Sequence, residues 1–339
     1  MFKFAKRKIA VVLLAFLALV LLVVALSVKP NQKDLSVPEL HLLPSLESEK
    51  HPIGGNFDLA LIENDLNNIK KELPVFEITP YTLTPDEALN LAKSFGFEAE
   101  PNQTQKQKLT WSKKENHLSL DLNNGRLSYG LDLLLNPGLV QGRLDTEEEL
   151  KKQALNLINN EMLPLPDKGE FKINSISYLK LAGPQFTESN PNEASFIQFS
   201  FDFFINDSLV LHSTPDSKFL TLILGPEKRI VKIEYLPPFK TLTEFDYYPL
   251  KKTSQLVAKL ASQPFLTKIT LPGFLIIENT DYLKIQTVAF EEFKIAYFVP
   301  SKDKYLQPVF FLTGNPKGIN GKAFLILPAV QDQYLNPGL

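Results

Sequence analysis

The chain has 339 residues, with 36 Lys plus Arg against 38 Asp plus Glu and a net charge of −2 at pH 7. Such a balance lacks the basic footprint of a nucleic-acid binder, so nucleic acid is not an expected partner, and four arginines offer few forks for phosphate. Cysteine is absent, which excludes disulfides and thiolate metal sites; with 44% apolar residues, the chain must be held together by ordinary packing.

Lys3, Lys6, Arg7 and Lys8 precede Ile9 to Val28, a 20-residue run without charge. At about 1.5 Å of helical rise per residue, this run matches the roughly 30 Å hydrocarbon core of a bilayer. It predicts a single-pass transmembrane helix that has the lipid bilayer as partner through residues 9–28. The basic residues before it place the N-terminus in the cytoplasm and the C-terminal part extracytoplasmic, at the cell membrane. The alternative is a cleavable signal, with Ala25 and Ser27 at the small-residue positions and a secreted chain released by cleavage near Ser27. Residues 1–29 thus form a basic tip and anchor. Residues 30–57, with Pro30, Pro38, Pro44, Pro52 and Gly54-Gly55, read as a spacer.

Apolar residues then fall at Leu59, Ile62, Leu66, Ile69 and Leu73, a three-four spacing that predicts an amphipathic helix ending before Pro74. Its stripe packs on its own domain or meets a partner helix. Thr84-Pro85-Asp86-Glu87 supplies an N-cap, a first-turn proline and the acidic member of a capping box. Ala88, Leu91, Ala92 and Phe95 make the buried face, and Gly96 ends the helix. Alternating runs follow at Leu109 to Ser112, His117 to Leu122 and Arg126 to Leu133, with Asn124-Gly125 as a hairpin turn.

The same order returns twice. Asp145 to Met162 opens with a capping residue and an acidic first turn, and strand-like runs follow at Phe171 to Leu181, Phe196 to Ile205, Leu209 to Ser213, Phe219 to Leu224 and Ile230 to Leu236. A third round starts at Tyr248-Pro249, with a helix over Thr253 to Ala261 and strands near Gly273 to Ile277, Leu283 to Val299, Leu306 to Leu312 and Ala323 to Leu327. The expected fold class is α+β: an N-terminal transmembrane helix followed by repeated modules of one helix packed on an antiparallel sheet. The modules would span residues 58–140, 141–240 and 241–339.

Leu73-Pro74, Thr84-Pro85-Asp86-Glu87-Ala88, Ala92-Lys93-Ser94-Phe95-Gly96-Phe97, Leu109-Thr110-Trp111, Leu118-Ser119-Leu120-Asp121 and Gly125-Arg126-Leu127 together resemble the PepSY-like helix-plus-sheet module of exported bacterial proteins. Tyr248-Pro249-Leu250, Tyr297-Phe298-Val299-Pro300, Tyr305-Leu306-Gln307-Pro308-Val309-Phe310 and Leu327-Pro328-Ala329-Val330 are similar to the last module of the YycH and YycI type. The resemblance implies one membrane helix, extracytoplasmic modules and a regulatory role, restraining a membrane histidine kinase that governs cell-wall metabolism. PepSY modules also include ones proposed to inhibit peptidases.

No catalytic constellation stands out. His41, His51, His117 and His212 are far apart and match no metal-binding spacing. Ser177/Lys180 and Ser301/Lys304 fit Ser-x-x-Lys, but the first lies in a strand pattern and the second in a turn, away from the helix start that such an enzyme needs. Asp145, Glu147, Glu148 and Glu149 suit a helix N-terminus, and Glu291-Glu292 sits between two strand halves. Phe196, Phe199, Phe201, Phe203 and Phe204 crowd one strand and belong to a core or to a partner surface. No catalytic, cofactor-binding or metal residue is assigned. The expected function is that of a non-enzymatic membrane-anchored protein binding a protein partner in the envelope, with a peptide or cell-wall-fragment binding module as the alternative.

Overall fold

The computed structural model describes residues 40–46, 50–98, 100–134, 136, 138, 141–159, 163–212, 217–262, 265–271, 279–300 and 304–336. Leu42 to Leu339 form one compact unit. Strands β1 (His51–Pro52) and β2 (Asn56–Asp58) lead to helix α1 (Glu63–Asn67) and the long strand β3 (Glu72–Thr79). Helix α2 (Pro85–Ser94) precedes β4 (Gln103–Gln105), β5 (Lys108–Ser112), β6 (Asn116–Asp121) and β7 (Leu127–Leu131). After α3 (Glu147–Asn159) come β8 (Glu170–Ala182), β9 (Gln185–Glu188), β10 (Phe196–Ile205), β11 (Ser208–Leu211), β12 (Leu220–Leu224), β13 (Ile230–Tyr235) and β14 (Thr241–Pro249). The remaining elements are α4 (Thr253–Ser262), β15 (Phe265–Leu266), β16 (Lys268–Thr270), α5 (Asn279–Tyr282), β17 (Thr287–Phe298), β18 (Tyr305–Pro316) and β19 (Lys322–Pro328).

Local chemistry explains the helix starts. The Thr84 hydroxyl accepts from the Glu87 N–H at 3.2 Å, while the Thr84 N–H donates to Glu87 Oε2 at 2.7 Å, closing the capping box of α2. Thr146, rather than Asp145, plays the same part for α3 through Glu149. The helix expected over Leu59 to Leu73 shrinks to a 3-10 turn at Ala60–Ile62 and the five residues of α1. Asn67 and Asn68 are weak helix formers, and the buried run Leu73, Val75, Phe76 and Ile78 is claimed by β3. The strand expected at Gly273 to Ile277 lies outside the described residues.

Seventeen of the strands belong to one mixed sheet. One half runs β4, β5, β6, β7, β13, β12, β10, β8, β9, antiparallel throughout. In the other half β17 pairs in parallel with β2, while β18, β19 and β16 continue antiparallel. β11 joins the halves, pairing with β10 and, in parallel, with β17, while β3 adds β14 to the second half by pairing with both β14 and β18.

This sheet overturns the expected α+β chain of repeated modules, one helix on an antiparallel sheet each. Ala88 and Ala92 of α2 and Leu150, Ala154 and Ile158 of α3 share a single core with residues of β5, β6, β7, β10, β12 and β13. Alternation along a strand fixes which face it buries and says nothing of its neighbour, so the pairing of β7 with β13 was invisible to a local reading. The single-pass anchor and the extracytoplasmic placement derived from it are corrected as well. Among the described residues no helix is long and apolar enough to cross a membrane. The longest, α3, has 13 residues and reaches only about 20 Å. Ile9 to Val28 lies outside the described residues.

The chain is tied together at Leu43, which is fully buried and forms a parallel bridge with Leu335. The Leu43 N–H donates to Tyr334 O at 2.8 Å and the Asn336 N–H to Leu43 O at 2.7 Å, while the Ser45 hydroxyl bonds Asn336 O. Lys251, 3% exposed, lies beneath the same C-terminal segment. Its ammonium donates to Pro328 O at 2.9 Å and Val330 O at 2.6 Å, and pairs with Asp332 at 2.9 Å. Burial holds the Lys251 pKa below its ordinary value, against the opposing pull of Asp332.

Candidate binding groove

Because side chains alternate across a strand, the face of the first half-sheet opposite α2 and α3 carries its polar positions. Register places His117 of β6, Gly130 of β7, Lys232 of β13, Ile223 of β12 and Gln198 of β10 in one row. The next row is Ser119, Ser128, Glu234, Thr221 and Ser200. The first row, together with Ser128 and Glu234 of the second, floors a groove of about 810 Å³. Its walls are Leu131 to Leu134 after β7 and the hairpin of β8 and β9, which turns through Gly183 at a φ of +63° and Pro184.

The groove is polar at one end and apolar at the other. Ser128 Oγ donates to Glu234 Oε1 at 2.9 Å, and Lys232 Nζ lies 3.3 Å from the same oxygen. The His117 ring crosses Gly130 so closely that a Cβ there would come within 2.7 Å of it. Glycine at this position therefore lets the imidazole lie flat on the floor. At the other end Leu133, Leu179, Phe196, Ile223 and Val231 form a small buried cluster, closed by Phe186 of β9 set edge-on to Phe196 at 5.2 Å. A serine hydroxyl that donates to a carboxylate already paired with lysine is not an activated nucleophile. The arrangement offers hydrogen bonds, one ion pair and an apolar hollow, which is chemistry for holding a ligand.

The other polar clusters carry bonds of their own. A wide hollow at the start of α3 is lined by Asp145, Glu147, Glu149 and Glu193. The Glu149 carboxylate caps the helix through Thr146, and Glu147 bonds Lys151 and the Tyr178 hydroxyl; those bonds hold both carboxyls below their ordinary range. Between the halves, a cavity of about 360 Å³ brings Asp202 and Lys218, 2.6 Å apart, near Glu292 and Lys294. His212 borders it, and burial together with the charge of Arg126 keeps its imidazole below the ordinary value. Among the described residues, no group of three or more His, Asp or Glu is placed to hold a metal ion.

The histidines are dispersed: His51 stacks on Tyr282 at 4.3 Å, His117 floors the groove, His212 meets the edge of Phe219 at 5.7 Å, and His41 is exposed. Lys180 pairs with Glu193 at 3.1 Å, and its position on β8 sends it to the face opposite Ser177. Lys304 pairs with Glu77 at 2.7 Å; Ser301 lies outside the described residues. Glu291 and Glu292 bond Asn315 and Thr313 across β17 and β18. Phe196, Phe199, Phe201 and Phe203 are buried, so that crowded strand packs the core, and Phe204 lies under the Lys172 ammonium. Sequence reasoning missed Ser128, Gln198, Lys232 and Glu234. Their only signal was a polar residue at every second position of strands whose pairing was unknown.

No model of a known protein family matches the chain, and no curated protein matches it.

Proposed function

We propose that the protein is a non-enzymatic binding protein that holds a segment of a protein partner in the groove over β7, β13, β12 and β10. The observation that carries the reading is the groove itself. Its volume of about 810 Å³ falls in the usual range of ligand sites, it joins an apolar hollow to a small polar set, and Leu134 on its wall is 64% exposed. The Glu234 carboxylate at its polar end is already engaged by Lys232 and Ser128, which favours recognition over turnover. The resemblance to PepSY-like modules points to a regulatory partner; the proposal does not depend on it.

A photo-crosslinking side chain in place of Leu134, in the full chain and in its native cells, tests this. Adducts with a defined protein from position 134, and none from the exposed Leu155 on α3, are the expected result. Equal labelling from both positions, or from neither, overturns the reading. The polar lining of Ser128, Gln185, Thr187 and Gln198 favours a second reading, a polyhydroxylated cell-wall fragment as ligand. Displacement of the adducts by soluble glycan fragments would select it.

A further inference from the structure

Building on the groove as the binding site, we infer that the partner segment binds as an extended strand added to the free edge of β9, with an apolar side chain in the hollow and a basic one beside Asp132 and Glu234. Among the described residues β9 pairs only with β8, and Gln185, Phe186 and Thr187 line the groove. The Ser189 N–H donates to Tyr178 O at 2.9 Å just beyond the last paired residues. Hydrogen-bonded and non-bonded pairs alternate along an antiparallel ladder, so Thr187 and Gln185 direct their backbone groups to β8. Phe186 and Glu188 then direct theirs outward.

Two other edges, those of β14 and β16, are blunted, as β-proteins commonly require. On β14 the Leu242 N–H is taken by Asp167 Oδ1 at 2.9 Å, the Tyr247 N–H by Asp246 Oδ1 at 2.7 Å, and the register shifts between Glu244 and Asp246. On β16 the Ile269 N–H is taken by the Tyr282 hydroxyl at 3.1 Å. Among the described residues β9 carries no such cap, and Gln185, Thr187 and Glu188 are exposed. An added strand would point alternate side chains into the groove. Leu133, Phe186, Ile223 and Val231 suit an apolar one. On the lining two carboxylates, Asp132 and Glu234, stand against the single ammonium of Lys232, so the electrostatic complement is lysine or arginine.

The test uses the full chain and an array of capped extended peptides about eight residues long, alternating leucine or valine with lysine, arginine or glutamate. Lysine- and arginine-bearing peptides should bind at least roughly tenfold tighter than glutamate-bearing ones, and amide exchange should slow at Phe186 and Glu188. Glu188→Pro removes one outward N–H at an exposed position while sparing the bonds to β8, and should weaken binding roughly tenfold. Glu188→Ala keeps the N–H and should stay within about twofold. Unchanged melting of both variants shows that the fold is intact. Peptide binding that Leu134→Asp abolishes and Glu188→Pro leaves alone overturns strand addition and leaves the groove as the site. No array peptide binding, alongside crosslinks from position 134, has the same meaning; absence of those crosslinks overturns the groove itself.

Discussion

Thr84 and Glu87 show how much a pair of side chains can decide. Each satisfies a donor of the other, and Glu87 also meets Lys240 at 3.2 Å, so the start of α2 is joined to the chain leading into β14. Thr84→Ala should cost about 1 kcal/mol, the usual worth of an N-cap, measured by urea unfolding. Lys251 is the opposite kind of residue, a buried cation whose value lies in the carbonyls that it satisfies. Lys251→Ala strands Pro328 O and Val330 O and leaves Asp332 without its partner. A loss of about 3 kcal/mol is expected in the same measurement.

Among the elements, β17 is the most instructive. Val288 and Phe290 join the buried core at even positions, then Phe293 and Ile295 pack against the same core at odd ones. A bulge at Glu291 produces the shift, since Phe290 pairs with Gly314 and Glu292 with Thr313. At that point a Cβ on residue 314 would come 2.1 Å from Ala289 O, a backbone atom that cannot give way. Gly314→Ala should therefore cost about 2 to 3 kcal/mol and lower the melting temperature, read by calorimetry. The break in alternation at Glu291-Glu292 was legible in the sequence, and so were the starts of α2 and α3, because capping and periodicity are local. The partners of β3, β7 and β11 were not, since each finds its neighbour far along the chain. The groove inherited that blindness: His117, Gln198 and Glu234 converge only once β6, β7, β13, β12 and β10 are in register.

For the molecule as a whole, acid is the informative perturbation. Glu87 is held below its ordinary value by the Thr84 N–H and Lys240, Glu147 by Lys151 and Tyr178, and Glu149 by Thr146. Burial pushes Glu292 and Asp332 up, but Lys294 and Lys251 outweigh it and leave both lowered. A carboxylate with a depressed folded pKa stabilises the protein fully above its unfolded value, here 4.5 for Glu and 3.8 for Asp, and that contribution is lost as pH falls through the folded value. The melting temperature should thus be flat from neutrality to about pH 5 and fall progressively below it. A melting temperature that holds steady to about pH 2 would show that these bonds contribute nothing net.

The bridge between Leu43 and Leu335 also fixes how the protein answers to force. The two segments run parallel, so tension applied before Leu42 and after Asn336 pulls them lengthwise past one another. The bonds at Leu43 and the Ser45 hydroxyl then share the load at once instead of opening in turn like a zipper. Lys251 anchors the same C-terminal segment from beneath, where its bonds to Pro328, Val330 and Asp332 resist that sliding. The chain is closed by a mechanical clasp that must shear before the sheet behind it bears any strain.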